Sequence, residues 1–535
     1  MEILSRSERI AEFRRRSFDL LVVGGGIVGA GIARDAALRG LSVALVEQGD
    51  FASGTSSKTS KLIHGGLRYL EQGDLPLVFE SLRERRILSR AAPGRVRPIP
   101  ILIPVHRGES RPPWKIRTGL ALYKLLSGGA QVGPHRWLSA GEALAIEPGL
   151  ARTGLVGGGL YADCQMDDAR HCLENILQAG EAGAVCLNYL RVENFLKAAG
   201  RLCGAVVQDR LTGRLLELSS KAVISAVGPW GDQIRKLAGE SGPERLAPTK
   251  GIHLVLPRRI HHGLFIEARR DRRMLFLLPW GMVMLAGTTE SAVSGDPGAL
   301  HAAADEVGYL LEEINRALPE VHFSESDVIT TFAGARPLLR FSGLANAASR
   351  SHRIEEGAGG LISVMGGKYT TYRRMAAETV DFLVRRFRLP AEPGATGRRP
   401  LIPAWDDRAL ERRRAAAARL SPEQLAELTT LYGAGAGELL DLIEADPTLA
   451  DPAAAGHRLL GAQLVHGMRA EGACTVTDLL ARRSLLAFRP NPGLDLLPKL
   501  KVWMGRHLGL APETVERQWA EYLKFLERGT AFRRN

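Results

Sequence analysis

Cysteine is scarce in this 535-residue chain. The five are Cys164, Cys172, Cys186, Cys203 and Cys474, and no two form a C-x-x-C pair. An odd count without paired spacing argues against a disulfide framework and for a reducing compartment. Cys164 and His171 lie near each other in sequence but complete no ligand set, so no metal is expected. Long apolar runs are also missing. The longest, LLVVGGGIVGAGIA, has about 14 residues and is broken by glycines, too short to span a bilayer. The opening MEILSRSERIAEFRRRSFD has no apolar core of the kind a secretory signal needs. The expectation is a cytoplasmic chain, or one resting on the inner face of a membrane without crossing it. Acidic residues are in deficit: 71 Lys and Arg against 58 Asp and Glu leave a formal charge of +13. That excess suits an anionic surface, acidic small molecules or nucleic acid. Against nucleic acid, there is no interleaving of aromatic and basic residues of the kind single-strand binders use.

What is present organises the chain. Its length suggests about three lobes. FDLLVVGGGIVGAGIARDAALRGLSVALVEQGD reads as strand, tight turn, helix and strand. Gly24, Gly26 and Gly29 form G-x-G-x-x-G directly after the first strand, and Glu47 ends the second. The glycines allow a tight turn, close approach of backbone to a pyrophosphate and helix–strand packing; the acid suits a ribose. With all parts in register, the unit predicts dinucleotide binding.

Further on, RPIPILIPV reads as an edge strand because of its prolines. RRMLFLLPW with GMVMLAGTT reads as an antiparallel hairpin, and GGLISVMGGKYTTYRRMAAETVDFLVRRF as strand, glycine turn and helix. LPAEPGATGRRPLIPAW has linker composition, and the pattern beyond it is helical. After Glu47 the chain breaks into the polar SGTSSKTSKLIHGG instead of a second regular βαβ unit. That interruption suits a flavin, whose ring must be gripped along its length.

The motifs TSSKTSKLIHGGLRYLE, DCQMDDAR, AVGPW, GARPLL and GGKYTTYRRMA occur in one order. Through them the chain resembles the FAD-dependent glycerol-3-phosphate dehydrogenases of the aerobic type. ACTVTDLLARRSLLAF resembles their appended helical domain. The resemblance implies an α/β fold: a Rossmann-like FAD domain of the D-amino-acid and glycine oxidase type, an inserted antiparallel substrate sheet and a C-terminal all-α domain. Residues 17–395 form the oxidoreductase region, with FAD-binding segments at about 17–92, 150–245 and 355–390 and substrate-binding segments at about 93–149 and 246–354. A linker at 396–406 leads to the helical domain, 407–535, which reads as structural or dimer-forming. The cysteine motifs of the anaerobic version and the long insertion of the oxygen-using branch are missing. Both absences favour a membrane quinone as acceptor.

By the same resemblance FAD is held by the glycine turn and Glu47, by Thr55, Ser56, Ser57, Ser60, Lys61 and Leu62, and by His64, Gly65 and Gly66. Gly228, Trp230, Gly367, Lys368 and Thr370 complete the set. Glycerol 3-phosphate falls to Arg68, Tyr69, Arg273, Arg336, Arg350 and Lys368, since a phosphate dianion calls for several cations. A neutral imidazole can accept the hydroxyl proton; His64 is the first candidate and His253 its rival. Arg336 would lower that hydroxyl's pKa. RPPWKIRTGLALYKLLSGG reads either as an interfacial helix or as an internal helix of the substrate lobe. Two other readings are weighed: a flavin-dependent amine oxidase of the glycine or sarcosine type, disfavoured by the arginine set, and a non-catalytic flavin-bearing or nucleic-acid-binding protein.

Overall fold

A computed structural model describes residues 5–129, 131–293, 295–340, 352–406 and 408–534. Runs of apolar residues buried on both faces build the first sheet, as parallel strands require. Phe18–Val23 pairs in parallel with Val43–Val46 on one side and Leu215–Ser225 on the other. Val185–Leu187 and Leu361–Gly366 extend the two flanks, also in parallel. Helix Ile27–Leu38 packs against helices Asp168–Glu181 and Tyr372–Phe387. Its small residues make this contact close: a Cβ on Gly31 would stand 2.9 Å from the Tyr372 ring.

The second sheet is mostly antiparallel and draws on three stretches of chain: Leu62–Ile63, residues 97–165 and residues 249–336. Leu155–Gln165 pairs along its length with Arg97–His106. It therefore belongs to this sheet. The hairpin Met274–Trp280 with Val283–Gly287 is present. Arg97–His106, however, is an interior strand, flanked by Leu155–Gln165 and by Gly263–Glu267. Pro98, Pro100 and Pro104 share one parity. Alternate residues offer their N–H groups to opposite neighbours, so all three missing donors fall on one side. The ladder to Leu155–Gln165 runs the full strand, whereas the Gly263–Glu267 flank is registered only at Ile101 and Leu102.

Residues beyond 390 cover the second sheet. The apolar faces of helices such as Ala436–Ala445 and Gly461–Arg469 share one core with Trp280 and Phe332. The Phe488 ring lies 5.8 Å from Trp280 and 5.9 Å from Phe332. The stretch 389–405 is itself bonded down: Thr396 Oγ1 donates to Asp35 at 2.8 Å and Leu401 N to the Ala91 carbonyl at 2.8 Å.

Candidate active site

The first strand ends at Gly24, whose φ of +109° suits glycine and whose Cβ would lie 2.7 Å from the Ala226 carbonyl oxygen. Gly26 is the N-cap of helix Ile27–Leu38. A Cβ on Gly29 would meet the Gly24 carbonyl oxygen at 1.9 Å, so this glycine sets how closely helix and strand pack. Gly24 and Gly26 line a cavity of about 1160 Å³; Gly29 stands behind them. The helix opens onto this cavity with its N-terminus, where N–H groups and dipole favour an anion. Glu47 lines the same end and accepts from Gly25 N at 2.7 Å and Gly49 N at 2.8 Å. Burial holds its carboxyl above the ordinary range, against the pull of those bonds.

The hydroxyl-rich run folds as a short turn, Thr55–Ser57, followed by irregular chain. Thr55, Ser56 and Ser60 line the cavity, yet their hydroxyls also tie the loop down. Thr55 Oγ1 donates to the Ala335 carbonyl at 2.7 Å, Ser56 Oγ accepts from Ile27 N at 2.9 Å, and Ser60 Oγ bonds His253 Nε2 at 2.8 Å. Ser57 lies off the cavity and donates to the Gly54 carbonyl at 3.4 Å. Lys61 is also turned away from it. Its side chain is 1% exposed and its Nζ is 2.5 Å from Asp168, because an ammonium withdrawn from water needs a counter-charge. Lys58 takes the cavity position instead. Burial first, then the nearby Arg482 and Arg528, lower its amine to about 8. Gly65 faces the protein as well: a Cβ there would meet Leu82 and Tyr123 at 2.4 Å.

Leu62, His64, Gly66, Arg68 and Tyr69 also line the cavity, with Arg336, Gly367, Lys368 and Thr370. Lys368 Nζ donates to the His64 carbonyl at 2.9 Å and to Ser81 Oγ at 3.0 Å, and lies 5.1 Å from the Tyr69 ring centroid. Thr370 Oγ1 accepts from His64 N at 3.2 Å. Gly66 has no room for a side chain, since a Cβ would stand 2.3 Å from the Tyr69 ring. Arg336 Nη2 donates to Thr288 Oγ1 at 2.8 Å and the Thr289 carbonyl at 3.1 Å. It crosses above Gly251, where a Cβ would come within 2.3 Å. Gly228 and Trp230 form another wall, the indole donating to Asp296 at 3.1 Å. Arg273 is not on the cavity; it pairs with Asp271 at 3.3 Å and reaches Glu290 at 3.9 Å. Its strand contributes Met274 and Phe276 to the lining instead, because the arginine stands before the strand turns inward. Arg350 lies outside the described residues.

The two imidazoles differ. His253 is 4% exposed and stacks on Phe332 with centroids 4.9 Å apart. Burial, then Arg336 and Lys61, push it down to about 3. It is neutral at pH 7 and a weak base. His64 is half-buried, on the cavity, with its ring 6.2 Å from that of Phe276.

One buried ionic group joins this site to the C-terminal region. Asp50, three residues past Glu47, accepts from Arg482 Nε at 2.6 Å, Arg483 Nη1 at 2.8 Å and Nη2 at 2.9 Å, and Asn188 Nδ2 at 2.9 Å. The arginine pair lies in ACTVTDLLARRSLLAF. Sequence reasoning missed this link, and missed Lys58, Ser81, Phe276 and Thr288. Lys58 and Lys61 stand in one polar run, and nothing local marks which of them turns inward.

The cavity, about 1160 Å³, exceeds the roughly 300–1,000 Å³ of an ordinary single-ligand cleft, and its glycine turn, held carboxylate and lining cations fit an extended dinucleotide beside a small anion. Residues 19–373 match the family described as FAD dependent oxidoreductase, and residues 394–515 match the C-terminal domain of alpha-glycerophosphate oxidase. A glycerol-3-phosphate dehydrogenase of Synechocystis sp. is 36% identical, over 96% of this chain and 97% of its own. The aerobic glycerol-3-phosphate dehydrogenase of Staphylococcus haemolyticus is 34% identical, over 90% and 89%. The crystal structure of the Bacillus halodurans glycerol-3-phosphate dehydrogenase complexed with FAD superposes with a TM-score of 0.80 at 28% identity, covering 98% of this chain and 97% of that one. Glycine oxidase from Geobacillus kaustophilus shares the fold over 70% of this chain, with a TM-score of 0.53. The chain belongs to the FAD-dependent oxidoreductases of the glycerol-3-phosphate dehydrogenase family, and FAD is its cofactor.

Proposed function

We propose that this chain oxidises sn-glycerol 3-phosphate to dihydroxyacetone phosphate and delivers the electrons to a membrane quinone. The observation that carries the reading is that Arg336, Lys368 and Arg68 line, with His64, the same cavity that the glycine turn opens. A carboxylate substrate such as glycine needs fewer cations. The names of the full-length relatives support the phosphate reading.

FAD, when bound, supplies the two-electron acceptor for the hydride equivalent leaving the carbinol carbon. The His64 imidazole takes the hydroxyl proton. Arg336, fixed by Thr288 and Thr289, lowers that hydroxyl's pKa and stabilises developing alkoxide. Lys368 and Arg68 bind the phosphate. Because Lys368 also holds the His64 carbonyl, the phosphate grip and the position of the base are coupled. Phe276 and Met274 offer apolar surface that keeps water from the reacting carbon.

Delivery to a quinone calls for a membrane surface. Among the described residues no helix is long and apolar enough to cross a membrane. Helix Pro113–Leu126 buries Ile116, Leu120 and Tyr123 but leaves Trp114 68% and Leu125 75% exposed. With the positive charge of the chain, this supports peripheral attachment to the cytoplasmic face.

The test is anaerobic bleaching. The purified yellow protein should lose its colour with glycerol 3-phosphate and regain it when quinone-bearing vesicles are added. Bleaching by sarcosine alone would select amine oxidation, and no bleaching by either would end the enzyme reading.

A further inference from the structure

A second cavity, of about 340 Å³, is lined by Arg83, Arg86, Ile87, Arg90, Arg398 and Pro400 among others. Arg83, Arg86 and Arg90 recur at three- and four-residue steps on helix Leu75–Ala91 and so share one face. The opposite face carries the helix's paired charges: Arg85 is fully buried against Asp163 at 2.6 Å, and Glu84 receives Arg373. Arg398 arrives from the stretch after 390, held in place where Leu401 N donates to the Ala91 carbonyl at 2.8 Å and Gln178 Nε2 donates to the Pro400 carbonyl at 2.7 Å. Among the described residues no carboxylate comes within 4.0 Å of these four guanidiniums. The four side chains are solvent-exposed, so water and salt screen their mutual repulsion, and an anion seated in the concavity meets several donors at once.

We infer that this pocket is a phosphate-binding site, separate from the active site. Guanidinium groups match phosphate oxygens bidentately, and the volume suits a phosphate group with a short substituent, not a dinucleotide. On the same helix face, one and two turns before Arg83, Phe79 and Leu75 are exposed at 55% and 42%. Glu71, just ahead of them, pairs with Arg111 and Lys115 on either side of Trp114. Apolar side chains beside a phosphate pocket favour the phosphodiester of an anionic membrane lipid over a soluble phosphate. Only this choice of source rests on the peripheral-membrane reading.

The experiment compares the FAD-loaded full chain with the R86Q/R90Q/R398Q variant, after checking that flavin content and turnover are alike. Flotation with phosphatidylglycerol vesicles and with phosphatidylcholine vesicles tests the lipid source. Calorimetry with inorganic pyrophosphate, in saturating dihydroxyacetone phosphate to occupy the active-site cations, tests the soluble source. The expected result is at least a tenfold loss of phosphatidylglycerol affinity in the variant, with little binding of either protein to phosphatidylcholine. If neither protein floats but the variant loses one pyrophosphate site, the pocket stands and the membrane reading fails. If variant and parent behave alike in both assays, the pocket proposal is overturned.

Discussion

At the scale of single residues, a side chain's surroundings decide what its chemistry can do. Arg336 is part-buried and fixed by two acceptors, so its charge acts at one point. Arg336→Ala should retain FAD, read from the visible spectrum, and lose about 10²–10³-fold in kcat/KM, the scale of removing one stabiliser of developing negative charge. Lys58 offers a titration test. Its amine is held at about 8, below the ordinary 10.5, by burial and by Arg482 and Arg528. An anion bound in the cavity raises that value, so binding takes up a proton. The gain in affinity is full below pH 8 and fades as pH rises through the bound-state value. Calorimetric FAD binding near pH 8.5 in buffers of different ionisation heat (pH chosen about half a unit above that value) should show this uptake, and Lys58→Met should abolish it.

At the scale of elements, the loop after Glu47 is latched to the helical region through Asp50. Removing one partner of a buried ionic group leaves the other uncompensated, at about 3–5 kcal/mol. Arg483→Ala leaves Asp50 with Arg482 and Asn188, so it should lower unfolding stability by only part of that amount, and FAD affinity should fall with it, because the loop lines the cavity. The latch has a pH signature. Arg483 and Arg482 hold the Asp50 carboxyl at about 2, below its ordinary 3.8, despite burial. Its stabilisation is complete above 3.8 and is lost as pH falls towards 2. Acid unfolding curves of the parent and Asp50→Asn should accordingly converge near the lower value.

At the scale of the whole molecule, the helical region is no detachable appendage. Its core is continuous with that of the second sheet, and Thr331 Oγ1 donates to the Gly529 carbonyl at 2.8 Å. A chain ending near residue 390 would expose Trp280 and Phe332, whose rings face Phe488. Such a truncation should yield aggregated, colourless protein; soluble yellow protein would contradict the account. On the proposed peripheral attachment, binding of the full chain to anionic vesicles should weaken steeply with salt, as screening of its +13 charge requires.

Local patterns sufficed for the glycine turn, the βαβ unit, the hairpin and the helical C-terminal region, because hydrophobic period and glycine spacing act over a few residues. The family, too, was legible in short motifs. Long-range contacts decided the rest. The edge-strand expectation for RPIPILIPV failed because parity, not proline count, determines which ladder survives. Lys61 turned away from the cavity and Lys58 into it because Asp168, about a hundred residues on, supplies a counter-charge at only one of the two places. Arg273 stays off the cavity while Arg336 enters it, since the route of each strand, absent from any local window, sets where its arginine points. Charge type is written in the sequence; the partner that neutralises or frees each charge is chosen only when the chain closes on itself.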